Sequence, residues 1–125
     1  MKNFHLFWTG GNEPSPTSSE VCKRVRVALM KGGVVTFDAD GDLDRSRSLQ
    51  VRAEIGRSLL TFGWDDGVTW NMRAFVHASS RGLDGSSSLL GDVWLNRLIF
   101  DDADAVVDLF RKFLDGVEPC GLDWT

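Results

Sequence analysis

The side chains that could do chemistry in this chain are few, and the densest group is acidic. Asp38, Asp40, Asp42 and Asp44 alternate along the segment DADGDLD. Alternating carboxylates are what a calcium loop uses. The helix–loop–helix calcium site also needs glycine at its sixth position and a bidentate glutamate at its twelfth. Counted from Asp38 those positions hold Leu43 and Leu49, and counted from Asp40 the sixth holds Arg45. The segment is therefore read as a solvated acidic turn with no metal. Docking onto a basic partner needs no such strict geometry, so the same carboxylates suit that role better. A DxD metal–nucleotide site after a strand would require a much larger chain around it.

Other constellations fail on spacing. His5, His77, Cys22 and Cys120 are the only histidines and cysteines, and they form none of the short-range pairs of a zinc site. There is no GxSxG, and Ser86-Ser87-Ser88 falls in a segment read as a mobile loop, a poor place to hold a nucleophile. His77 is the one base besides His5 that a triad could use. Gly32-Gly33 closes a helix, whereas a phosphate loop opens one. The zinc deaminase signature, H-x-E followed by P-C-x-x-C, is missing: no histidine precedes a glutamate by two, and Asp123 stands where the second cysteine belongs. The chain is read as a non-enzyme without a cofactor.

Hydrophobic periodicity then gives the elements. Phe4, Leu6 and Trp8 alternate with Asn3, His5 and Phe7 as a first strand, and residues 10–19 read as a glycine- and proline-punctuated loop. Thr17 and Glu20 have capping-box spacing before a helix over 19–31, with Val21, Val25, Ala28 and Leu29 on one face. Gly32-Gly33 ends it. Strands follow at 34–37, at Leu49, Val51, Ala53 and Ile55, at Leu60, Phe62 and Trp64, and at Val68, Trp70, Met72 and Ala74. Asp65-Asp66-Gly67 is a strong hairpin signal between the last two. The spacing leaves no room for helical crossovers, so the sheet is antiparallel. Residues 79–91 read as a loop, and 93–100 is apolar with part of it a short strand. A second helix is capped by Asp101 or Asp102 and carries the stripe Ala103, Val106, Val107, Phe110, Phe113 and Leu114. Gly116 stops it, and 120–124 is expected to add a short strand. The fold expected is one α+β domain over 1–125, with a mainly antiparallel sheet of about five to six strands against two helices.

At 42% hydrophobic residues, with 8 Phe and 5 Trp, the 125-residue chain can build a core without disulfides. A net charge of −4 disfavours direct nucleic-acid binding, because phosphates repel it. No apolar run approaches the roughly 20 residues that cross a bilayer. The N-terminus is too short and polar for a secretory signal, so the two cysteines read as reduced thiols of a cytoplasmic protein. Most of the tryptophans are expected in the core, with one or two exposed beside acidic turns as interface anchors.

The C-terminal third adds a pattern. A helix ends in Phe110-Arg111-Lys112-Phe113-Leu114-Asp115-Gly116, a turn holds Glu118-Pro119, and Gly121-Leu122-Asp123-Trp124 closes the chain. This resembles the immunity proteins of bacterial polymorphic toxin systems, in the deaminase-inhibitor family. The resemblance covers about 92–124 well and 20–75 more loosely. Its motif residues are structural, so it transfers no contact residue. It implies a cytoplasmic antitoxin that binds one cognate toxin domain, one to one, and occludes its active site, often that of a nucleic-acid deaminase. An acidic inhibitor can mimic the polyanion such a toxin binds. Asp40, Asp42, Asp44, Asp65 and Asp66 are the expected docking charges, with Trp64 or Trp70 as anchor. The alternatives are a small ligand-binding or enzymatic domain, or an inhibitor of another host or phage protein.

Overall fold

The computed structural model describes residues 3–40 and 46–117. In chain order it contains β1 (Asn3–Trp8), β2 (Gly11–Pro14), α1 (Ser18–Lys31), β3 (Gly33–Asp40), β4 (Arg47–Glu54), β5 (Arg57–Asp65) and β6 (Trp70–Ala74). There follow β7 (Ser86–Leu89), β8 (Asp92–Leu95), a 3-10 turn (Asn96–Leu98) and α2 (Ala103–Leu114). Six strands form one sheet in the order β2-β1-β3-β4-β5-β6, and β7-β8 is a separate hairpin. Every pair is antiparallel. The fold is α+β, with two helices on one face of the large sheet.

Alternation decides which side chains the helices cover. Leu6 of β1, Val35 and Phe37 of β3, Leu49 and Val51 of β4, and Leu60 and Phe62 of β5 point to the helix face and are buried. Against them α1 packs Val21, Val25 and Ala28, and α2 packs Val106, Val107, Phe110 and Phe113. Phe37 sits at the centre, its ring 5.2 Å from Phe4, 5.5 Å from Phe113 and 6.3 Å from Phe110.

The helix ends behave as their sequences require. The Glu20 amide donates to Thr17 Oγ1 at 3.2 Å, and Gly32 takes a positive φ of 89° to leave α1. Thr17→Ala should lower unfolding free energy by about 1 kcal/mol, read as a lower urea midpoint at unchanged slope. Asp102 caps α2, accepting from the Ala105 amide at 3.1 Å.

Strand β5 is buried on both sides from Ser58 to Gly63. Its outer side chain Leu59 joins Ala74, Leu89 and Leu98 in a second small core, with Trp94 packed against it. The β7–β8 hairpin thus covers one end of the sheet's outer face. Arg52 fastens it, reaching Asp92 Oδ2 at 3.3 Å and lying 5.5 Å from the Trp94 ring centre. Glu54 accepts the Leu90 amide and pairs with Arg57, and these two contacts, the amide first, hold its carboxyl below the ordinary glutamate range. A carboxyl depressed by folding adds stability that is present above its unfolded value, about 4.3, and lost as pH falls through the folded one. Acidification below about pH 4 should therefore raise hydrogen exchange at the Leu90 amide, and Glu54→Gln should remove that pH dependence.

Several expectations are corrected. Residues 10–19 are not all loop: β2 pairs with β1, His5 opposite Pro14, and a proline is tolerated there because β2 is an edge strand. Residues 79–91 contain β7, whose SSSL has only Leu89 to bury. Ile55 and Val68, read as strand residues, stand in turns at 78% and 93% exposure. The expected strand at 120–124 lies outside the described residues.

Candidate functional site

The outer face of the sheet is open at the end that the β7–β8 hairpin does not cover. Strand alternation places Phe7, Thr36, Asp38, Asp40, Ser48, Gln50, Gly63, Trp70 and Met72 on this face. The register aligns Asp38, Ser48, Gly63 and Met72 in one row across four strands. Phe7, Trp70 and Met72 are exposed, at 40%, 47% and 60%.

Two hairpins meet here. The Asp65 amide donates to the Ser46 carbonyl at 3.0 Å, which joins the β3–β4 end to the β5–β6 end. Asp40, Asp65, Asp66 and Trp70 are thereby gathered at one end of the sheet. Asp42 and Asp44 lie outside the described residues. Asp65 Oδ1 accepts the Gly67 amide at 2.8 Å, and Asp66 Oδ1 accepts the Val68 and Thr69 amides at 2.9 Å. Asp66 Oδ2 also accepts Asn71 Nδ2 at 2.9 Å. These two carboxylates shape their own turn while contributing charge. Asp40 accepts from Ser46 Oγ at 2.8 Å.

Between the hairpins lies a shallow hollow of about 380 Å³, lined by Thr36, Asp38, Asp40, Ser46, Arg47, Ser48 and Trp70. The Trp70 ring lies across Gly63, where any Cβ would stand 2.3 Å from Trp70 Cζ2. Trp64 is elsewhere. It faces the helices, 5.7 Å from Phe62, with Arg73 5.6 Å from its ring centre. The two tryptophans expected as alternative anchors are on opposite faces, and only Trp70 shares the acidic one. Trp8 and Trp94 are half-buried at the margins of the two cores, not fully enclosed as core residues would be. Asp38, Phe7 and Met72 were missed as site residues. Parity within β3 was the available signal for Asp38, which follows Thr36 and precedes Asp40 on the same face.

His77 belongs to a different cluster. Its Nδ1 accepts the Ser79 amide at 3.1 Å and lies 2.7 Å from Ser79 Oγ, so the proton sits on Nε2, 2.9 Å from Asp102 Oδ2. The bond from His77, and then the Ala105 amide, pull the Asp102 carboxyl below the ordinary aspartate range. The order Ser79–His77–Asp102 resembles a hydrolytic triad. Here the histidine lone pair is already taken by a backbone amide two residues away, and its ring is stacked on Phe100 at 5.1 Å. The cluster clamps the exit of β6 to the start of α2.

Among the described residues, no three His, Cys, Asp or Glu side chains come together to hold a metal ion, and no helix is long and apolar enough to cross a membrane.

Residues 8–118 match DUF6911, a family of unknown function. The chain belongs to this family. The match takes in Asp38, Asp40, Trp64, Asp65, Asp66 and Trp70, so the DUF6911 region contains most of the open face and leaves out the β1 residues Asn3, His5 and Phe7. No curated protein matches the chain. A solved structure does: a hypothetical protein from Neisseria gonorrhoeae, at a TM-score of 0.71 and 16% identity, covering 98% of this chain and 94% of that one. At that identity the likeness establishes a shared fold for this DUF6911 member and that protein.

Proposed function

We propose that this DUF6911 protein is a cytoplasmic immunity protein that binds a cognate bacterial toxin domain one to one and occludes its active site, that of a nucleic-acid deaminase. The observation that carries the reading is the open end of the sheet. There an exposed Trp70 stands beside carboxylates delivered by two hairpins. A buried aromatic within a charged rim is how tight interfaces are built. Negative charge on a strand-built surface suits a toxin whose own groove is basic because it handles nucleic acid. The same charge argues against direct nucleic-acid binding by this chain. The C-terminal helix pattern, Phe110 to Gly116, supports the same family of inhibitors.

The test is co-expression with the toxin domain encoded by the neighbouring gene. Cell survival together with a co-purifying one-to-one complex is the expected result. Cell death with no complex would remove the reading.

A further inference from the structure

The fold treats its four described tryptophans unequally. Arg24 lies 4.1 Å from the ring centre of Trp8, Arg52 5.5 Å from that of Trp94, and Arg73 5.6 Å from that of Trp64. Trp70 has no such arginine among the described residues, although its ring is held in place across Gly63 and its side chain is half exposed. The hollow beside it contains Asp38 and Asp40. Asp40 is engaged by Ser46 Oγ. Asp38 is half-buried, yet it has no hydrogen-bond or ion-pair partner among the described residues. Arg47, the cation lining the hollow, donates through Nη1 to the Ser46 carbonyl.

A partly buried carboxylate with no cation among the described residues, next to an indole ring held across Gly63, is complementary to one kind of side chain. A guanidinium is planar and weakly hydrated, stacks on aromatic faces and bonds carboxylates through two N–H groups at once. An ammonium is compact and strongly hydrated, and gains less from the ring. We propose that the hollow takes one arginine side chain of the protein that docks on the open face, its guanidinium stacked on Trp70 and paired with Asp38 and Asp40. This inference rests on the partner-binding reading above.

The test titrates the isotope-labelled full chain with N-acetyl-arginine amide and, separately, with N-acetyl-lysine amide, followed by NMR. Saturable shifts at the Trp70 indole N–H and the amides of Asp38 and Asp40 are expected with the arginine compound. Asp38→Asn should weaken that binding about ten-fold, and Trp70→Ala should abolish the preference over lysine. No shifts, an unchanged response in Asp38→Asn, or an equal response to lysine would overturn the inference. Co-expression rescue reports separately on neutralisation. A chain that rescues cells without responding to arginine loses this inference and keeps the antitoxin reading. A chain that binds arginine and fails to rescue keeps the inference and loses that reading.

Discussion

Phe110→Ala should move the urea unfolding midpoint far below that of the wild type. The Phe110 side chain is fully buried, and its ring stacks parallel to that of Phe37 at 6.3 Å. With Phe113, it is how α2 reaches Phe37 at the centre of the sheet. Truncating a buried phenylalanine costs about 3–5 kcal/mol, from lost transfer free energy plus the cavity left behind. The whole stability of such a domain is about 5–15 kcal/mol. Phe110→Leu, which fills most of the space, should cost less than half as much. Urea unfolding followed by circular dichroism checks both. A wild-type midpoint in Phe110→Ala would mean that α2 does not pack on Phe37 as described.

The second large effect concerns association with the partner proposed above. Asp40→Lys combined with Asp65→Lys moves the net charge from −4 to zero and cancels much of the negative field at the open end of the sheet. Electrostatic steering raises association rates by about ten-fold to a thousand-fold at low salt. If the proposed toxin domain co-purifies, the double variant should bind it at least about ten-fold more slowly, with a flatter dependence on ionic strength. Asp65 also accepts the Gly67 amide, so reversal there disturbs the turn as well as the charge. Asp65→Asn separates the two effects, because it keeps an acceptor and drops the charge. Stopped-flow association rates across a salt series decide it. Unchanged rates in the double variant would show that these carboxylates do not guide docking.

The sheet was legible wherever one face is buried. Leu49, Val51 and Ala53 alternate with Ser48, Gln50 and Arg52, and β4 follows from that pattern alone. The α2 stripe and the Thr17 cap were equally plain. Strands β2 and β7 were not, because GNEP and SSSL bury almost nothing. They are strands by backbone pairing, to β1 and β8, and no hydrophobic period records that. The site was half legible. The acidic hairpins were visible in the sequence, but their adjacency depends on register: Arg47 pairs with Trp64, which brings Ser46 beside Asp65. The split between the tryptophans was hidden for a related reason. Trp64 and Trp70 are an even number of residues apart, which within one strand would put them on the same face. The hairpin reverses this: Trp64 pairs with Asn71 and Trp70 with Asp65, so the rings fall on opposite faces.

The two-sidedness of the sheet has a consequence for how such a protein can diverge. Asp38, Ser48 and Met72 project outward from strands whose neighbouring residues Phe37, Leu49 and, on β5, Phe62 project into the helix-side core. Surface substitutions away from caps and networks usually change stability by no more than about 0.5 kcal/mol. The outward alphabet can therefore be rewritten position by position while the inward one is left untouched. Selection can alter that face without first accumulating stabilising mutations, and a small scaffold of this build is tolerant of rapid change on its outer side.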